Sequence, residues 1–294
     1  MVSHLEVNDR STVLFGRAEE LLPQLTAGAR TVFVTDTAVA ACHRELFRSA
    51  EPLTVGRGEE SKTLGAAAAL YDGLIARGAD RTSLVVGIGG GIVTDMAGFA
   101  AATYMRGVRF GFVPTTLLAQ VDASVGGKNG VNVGGYKNMV GTFAQPEFVV
   151  CDVGLLHTLP EREFRAGLAE ALKAGIIADA ELFRLLETSG FDALRRDDAL
   201  TEEVVRRALR VKADIVARDE CEHGDRRLLN LGHTMAHAIE KCSREMNHGE
   251  AVAVGTVMAA RAAAGLGMMS REDCGRVCRA VASLGFRTEP PVGI

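Results

Sequence analysis

The sequence predicts an α/β N-terminal domain built on a Rossmann-like parallel sheet, followed by an all-α C-terminal domain. Three observations carry that reading. Short β-branched runs alternate with helical patterns through the first half, and from about Pro160 one helical pattern follows another. Between them, an apolar run ends in Gly89-Gly90-Gly91 and passes directly into a segment of small residues. Strands that alternate with helices need crossover connections and therefore a parallel sheet. The change of pattern falls near Cys151 to Leu159, so the expected division is residues 1–157 and 158–294.

In chain order, Thr31 to Thr35 reads as the first clear strand, and helical periodicity follows from Ala38 and again over Thr63 to Arg77. Ser83 to Ile88 is the next strand. Its glycine turn opens a helix containing Ala97, Gly98, Ala100, Ala101 and Ala102, and Arg109 to Val113 returns as a strand. The second half reads as helices over Glu161 to Ile177, Thr201 to Arg218, Leu228 to Lys241, Glu250 to Gly265 and Arg271 to Leu284. The apolar run Ala251 to Met269 is broken by Arg261, Gly255, Gly265 and Gly267, which fits a buried helix and not a membrane span.

With 294 residues, 47% hydrophobic, there is ample material for a core. A net charge of −4 and the lack of a polybasic run argue against a nucleic-acid surface and for a small-molecule partner. The six cysteines show no Cys-x-x-Cys spacing, and the start Met1-Val2-Ser3-His4 lacks a charged segment followed by an apolar one. This is the pattern of a reduced, cytoplasmic chain with no membrane association.

The densest chemistry lies in Asn230-Leu231-Gly232-His233-Thr234-Met235-Ala236-His237 and His248-Gly249-Glu250, which hold three of the seven histidines. Residues four apart share a helix face, so His233 and His237 point the same way and His248 can return from the next element. A metal site and a proton-transfer site both fit, as do ordinary hydrogen-bonded histidines. Thr234 stands where a zincin helix needs its glutamate, so that chemistry is excluded, and a carboxylate from elsewhere is the natural further ligand. The Gly89 to Asp95 turn suits a nucleotide pyrophosphate at a helix N-terminus, or is simply a tight turn, since Ile92 breaks the G-x-G-x-x-G spacing. Asp36, directly after a strand, suits a ribose hydroxyl or a helix cap. Lys128, Lys137 and Asn138 among glycines suit an anionic, oxygen-rich ligand. Glu170 and Lys173, one helical turn apart among Ala169, Ala171, Leu172 and Ala174, form either a helix salt bridge or a site, and Lys212 and Arg226 add cations.

These residues resemble the 3-dehydroquinate synthase family of sugar-phosphate cyclases over about Asp36 to Phe286. The resemblance rests on Gly58-Glu59-Glu60-Ser61-Lys62, Gly89 to Asp95 with Gly98-Phe99, Tyr104-Met105-Arg106-Gly107 and Pro114-Thr115-Thr116-Leu117-Leu118. Asp122 to Lys128, Lys137-Asn138, Ala169-Glu170-x-x-Lys173, Arg226 to His237 and His248-Gly249-Glu250 complete it. It implies a divalent metal, zinc or alternatively cobalt, held by Glu170, His233 and His248. It implies NAD+ along Asp36, Glu59, Lys62, Gly90, Gly91, Asp95, Thr115 and Thr116, with Asp122, Lys128 and Lys137 nearby. The implied catalytic and substrate residues are Asp122, Lys128, Asn138, Lys173, Lys212, Arg226, Asn230 and His237. Arg106 is implied to reach the phosphate of a neighbouring subunit's substrate, hence a homodimer. The implied substrate is a phosphorylated sugar acid, 3-deoxy-D-arabino-heptulosonate 7-phosphate, which is transiently oxidised, loses phosphate and closes to a carbocycle in the shikimate pathway.

The pattern departs from the family at three places. The family continues several tens of residues beyond Ile294, including a lysine that helps hold substrate, so the expectation is a shortened C-terminus. Asn129 stands where threonine is usual and Tyr136 where glycine is usual. The alternatives are a sister cyclase of amino-dehydroquinate or inosose type, a metal-dependent polyol dehydrogenase, and an inactive NAD-binding remnant.

Overall fold

In a computed structural model the described residues are 3–48, 50–243 and 245–291, and the chain divides into two compact units, Met1–Leu159 and Pro160–Ile294. The first unit runs β1 (Ser3–Asn8), β2 (Ser11–Phe15), α1 (Ala18–Leu25), β3 (Thr31–Asp36), α2 (Thr37–Cys42), β4 (Leu53–Val55), α3 (Leu64–Ala76), β5 (Leu84–Gly89) and α4 (Gly91–Thr103). It continues with β6 (Arg109–Pro114), β7 (Lys128–Val133), β8 (Tyr136–Phe143) and β9 (Phe148–Cys151). Seven strands make one sheet in the order β1-β2-β9-β6-β5-β3-β4, parallel except for the β1/β2 pair. β5 is buried along its whole length, which is why it reads as a continuous apolar run instead of an alternating one.

From β3 the chain passes to β4 on one side and returns to β5 on the other, so the strand order reverses at β3. Open parallel sheets bind ligands outside the carboxyl ends of their strands at such a point. The ends of β3 and β5 are Asp36 and Gly89. β7 and β8 form a separate antiparallel hairpin that packs on α4. A Cβ on Gly98 would overlap Asn129 Oδ1, so only glycine lets the hairpin come this close. Asn129 is buried and its amide donates to the Gly127 and Ala144 carbonyls, both at 3.0 Å, so the asparagine closes the base of the hairpin. Tyr136 is exposed at the hairpin tip.

The second unit is helical among its described residues: α5 (Glu161–Ala178), α6 (Ala180–Arg196), α7 (Asp198–Arg218), α8 (His233–Cys242), α9 (His248–Gly265) and α10 (Arg271–Ser283). α5 is buried continuously from Ala166 to Gly175 and packs against α6, α7 and α9. A helix buried on all sides belongs at the centre of its unit, and α5 carries Glu170 and Lys173 there.

The helix expected over Leu228 to Lys241 is divided. A 3-10 turn, Asp225–Asn230, ends before Gly232, whose φ of +79° is left-handed, and α8 starts only at His233. α7 begins earlier than its apolar pattern, because the Asp197 carboxylate accepts the Leu200 N–H at 3.1 Å and caps it. No helix among the described residues is long and apolar enough to cross a membrane.

Candidate active site

In the first unit, Asp36 caps α2, its Oδ1 accepting the Ala38 and Val39 N–H groups at 2.8 and 3.0 Å. The ribose and the cap readings both place this carboxylate at the strand end, and the cap is the contact seen. Gly90 and Gly91 open α4, and the Thr115 N–H donates to the Gly89 carbonyl at 2.9 Å, which brings the ends of β5 and β6 level. Thr116 Oγ1 accepts the Ala119 N–H at 3.1 Å and so starts the turn that carries half-buried Asp122.

Around these lies a polar cluster. Lys62 is buried, and its ammonium contacts both Asp95 Oδ2 and Asn138 Oδ1. Glu59, on the 3-10 turn Glu59–Ser61, accepts from Asn132 Nδ2 at 2.8 Å. The structure therefore joins Glu59, Lys62, Asp95 and Asn138 in one network. Lys128 and Lys137 are exposed on the hairpin.

In the second unit three groups converge. Glu170 on α5, His233 at the start of α8 and His248 at the start of α9 offer ligand atoms all within 4.8 Å of one another. His248 Nε2 is 3.3 Å and His233 Nε2 3.5 Å from Glu170 Oε1, and Lys173 is ion-paired with Oε2. The His237 ring lies 5.6 Å from that of His233, one helical turn along α8. A Cβ on Gly249 would overlap the Ala166 carbonyl oxygen, so the glycine after His248 is what lets α9 press against α5.

Electrostatics at this cluster follow from burial against charge. Burial would raise the Glu170 carboxyl, but Lys173 and the two histidines hold it well below the usual range. Burial dominates at His233 and lowers it despite Glu170. At His248 burial is outweighed by the carboxylates of Glu170 and Glu240, which raise it to about 10. Neither Glu170 oxygen receives a hydrogen bond of acceptable geometry, although charge alone would pair them with these neighbours. These neighbours keep Glu170 ionised in spite of its burial, and one carboxylate with two imidazoles is a donor set for a divalent ion of the zinc type. The residues present fit such an ion.

Lys212 and Arg226 are buried, and the 3-10 turn bearing Arg226 and Asn230 packs on α5 and α7. Asp219 accepts N–H groups from Gly224, His223 and Arg226, and these hold its pKa down at about 2. Asn230 Nδ2 donates to Glu222 Oε1 at 2.6 Å. Asn230 and His237 are exposed. Arg106 is exposed at the end of the 3-10 turn Tyr104–Arg106, where Met105, Arg106 and Gly107 all have positive φ.

The N-terminal family of 3-dehydroquinate synthase matches residues 52–166 and the C-terminal family residues 167–293. A curated 3-dehydroquinate synthase from Desulforamulus reducens is 45% identical over 283 residues, 93% of this chain and 79% of that protein. The chain belongs to the 3-dehydroquinate synthase family. Among solved structures, a 2-epi-5-epi-valiolone synthase of Streptomyces hygroscopicus with NAD+ and Zn2+ bound is 30% identical, with a TM-score of 0.88 over all of this chain and 85% of that one. A 2-deoxy-scyllo-inosose synthase complexed with carbaglucose-6-phosphate, NAD+ and Co2+ is 28% identical, with a TM-score of 0.87 over 97% of this chain and 83% of that one.

The structure adds residues that the sequence reading of this family member passed over. His248 is held by a capping box: Asn247 Oδ1 accepts the Glu250 N–H at 3.0 Å and Glu250 Oε2 accepts the Asn247 N–H at 2.8 Å. Arg162 on α5 grips the same carboxylate with Nε at 2.9 Å and Nη2 at 2.6 Å. The glutamate of His248-Gly249-Glu250 thus ties the helix start to α5, and the Asn247-x-x-Glu250 spacing was the available signal. Glu240 Oε1 lies 3.4 Å from His248 Nδ1, and its place three residues after His237 on the same helix face was the clue.

Proposed function

We propose that this chain converts 3-deoxy-D-arabino-heptulosonate 7-phosphate to 3-dehydroquinate and inorganic phosphate, as a cyclising carbon–oxygen lyase of the shikimate pathway. The observation that carries the reading is the meeting of Glu170, His233 and His248 at one buried carboxylate, in a chain 45% identical to a curated enzyme of that name. When bound, NAD+ supplies a transient hydride acceptor and a divalent ion held by these three residues supplies Lewis-acid polarisation of the hydroxyl being oxidised. Zinc is the expected ion, with cobalt as the alternative.

The chain's own groups supply position and charge. Gly90 and Gly91 at the start of α4 give backbone N–H groups to a pyrophosphate. Asp36, Glu59, Lys62, Asp95, Thr115 and Thr116 surround the dinucleotide, with Asp122, Lys128 and Lys137 beside it. Lys128, Asn138, Lys173, Lys212, Arg226 and Asn230 bind the substrate's anionic and hydroxyl groups, and His237 orients a substrate hydroxyl next to His233. Holding both anionic ends fixes the reacting carbons through elimination and ring closure. Arg106 reaches the substrate phosphate of a second subunit in a homodimer, and the enzyme works in the cytoplasm. The dehydroquinate reading is preferred to the sister cyclases because the curated relatives, at 42% identity and above, carry that name, whereas the two solved sister cyclases are at 28% and 30%.

The test is phosphate release from the heptulosonate 7-phosphate with zinc and substoichiometric NAD+, with nicotinamide absorbance followed in parallel. Phosphate and dehydroquinate are expected in equal amounts without accumulation of NADH. Net NADH without phosphate would replace the reading by a polyol dehydrogenase.

A further inference from the structure

Asn132 lies where the β7–β8 pairing slips: Val131 faces Val140 and Val133 faces Tyr136, with an irregularity between them. Its backbone is thereby released from β8, and its N–H donates instead to the Lys62 carbonyl at 2.8 Å, next to a parallel bridge between Thr63 and Asn132. Bulges of this kind re-aim a side chain beside a site. The re-aimed amide is used at both ends. Nδ2 donates to Glu59 Oε1 at 2.8 Å and to the Glu59 carbonyl at 3.2 Å, while Oδ1 accepts the Asn138 N–H at 2.8 Å. Only one orientation of the amide satisfies a carboxylate on one side and an N–H on the other.

Asn138 needs such a partner. Its φ of +52° is left-handed, a conformation that asparagine tolerates better than most non-glycine residues and that a partner on its N–H fixes in place. The circuit then closes, because Lys62, whose carbonyl holds the Asn132 N–H, places its ammonium on Asn138 Oδ1. We propose that Asn132 is a positioning residue that sets Glu59 on the nucleotide side and Asn138 on the substrate side through the two ends of one amide, a role that rests on the functional reading above. A chain lacking it would hold the hairpin but lose the registration between the two ligand-binding groups.

The two ends can be separated by substitution. Asn132→Asp keeps an oxygen for the Asn138 N–H but sets a carboxylate against Glu59, so NAD+ affinity should fall about tenfold or more while KM for the heptulosonate at saturating NAD+ is unchanged. Asn132→Ala should weaken both, and should speed hydrogen exchange at the Asn138 amide, which Asn132→Asp should leave protected. In a Glu59→Gln background the polarity is reversed, the new amide donating to the new carboxylate, so adding Asn132→Asp should cost little further affinity. Wild-type protein that fails to bind NAD+ would remove the functional reading itself. If the wild type binds NAD+, any of three results overturns the role of Asn132: unchanged affinity in Asn132→Asp, equal loss on both sides in both variants, or a lowered melting temperature with binding and Asn138 exchange untouched.

Discussion

Removal of the Glu250 side chain tests whether the metal centre depends on the way its helix begins. Glu250→Ala deletes the reciprocal half of the capping box and both arms of the Arg162 contact. Half a capping box is worth about 0.5–1 kcal/mol. The bidentate pair, with Arg162 53% and Glu250 22% exposed, adds about another 0.5–1 kcal/mol after solvent screening. A total of about 1–2 kcal/mol should lower the melting temperature by ~2–8 °C. Because His248 is the first residue of the same helix, zinc affinity should also fall, by about ten- to a hundredfold as for other groups that orient a metal ligand. Burial works to raise the Glu250 carboxyl, but the Arg162 guanidinium and the Asn247 backbone N–H outweigh it and leave its pKa lowered. The tether's stability is therefore present above the ordinary carboxylate range and is lost as pH falls through the lowered value. Chelator competition for zinc and thermal melts with and without zinc measure the two effects. A melting temperature that drops while zinc affinity stays at the wild-type value would refute the coupling and leave Glu250 as a cap alone.

Glu170→Ala, His233→Ala and His248→Ala should each abolish zinc retention and phosphate release together, measured by metal analysis after dialysis and by turnover; activity in a variant shown to be metal-free would dismiss the site. Zinc uptake should release about one proton from His248 at pH values below about 10 at which the ion binds, since that group is raised to about 10 in the metal-free protein and a ligand imidazole must be neutral. A pH-stat titration reads this directly. By the same sign, the stabilisation of the metal-free protein by this histidine is full below its unfolded pKa and fades as pH rises through about 10. Arg106→Gly should raise thermal stability by about 1 kcal/mol, because a left-handed non-glycine residue is strained, while lowering kcat/KM. A variant that melts lower, or keeps full activity, would contradict that trade.

How much of this was legible beforehand depended on how local the signal was. β3, β5 and β6 lie in the sheet interior and announce themselves as short apolar runs, and the helices from α5 onward were readable from periodicity except α6. The β7–β8 hairpin was not, because glycines, asparagines and lysines make up most of Lys128 to Gly141 and its close approach to Gly98 on α4 leaves no periodic signal. The break at Gly232 was hidden by apolar periodicity running through it; a left-handed backbone angle leaves no trace in hydrophobic spacing. At the site, the histidine cluster asked for a carboxylate without naming it. Glu170 came from family resemblance, and the fold then placed it within 3.5 Å of both histidines. Asn132 acts on Glu59, 73 residues before it, so no spacing rule reaches it, and Glu240 meets a histidine on the following helix, so only helix-face geometry reaches it.

The candidate metal site lies at two helix N-termini, because His233 and His248 are both first residues of helices. A helix N-terminus carries partial positive charge and disfavours a nearby cation by about 0.3–1 kcal/mol. Two such ends at one cation site need compensation, which Glu170 and Glu240 supply from α5 and from the last turn of α8. The same ends favour any anion bound in that space. The arrangement would thus use carboxylate charge to keep a bound cation where the backbone resists it, and would leave a field that welcomes an oxyanion beside it. That is the asymmetry required to acidify a substrate hydroxyl, and neutralising Glu240 should weaken zinc retention without lessening the pull of the two helix ends on an anionic ligand.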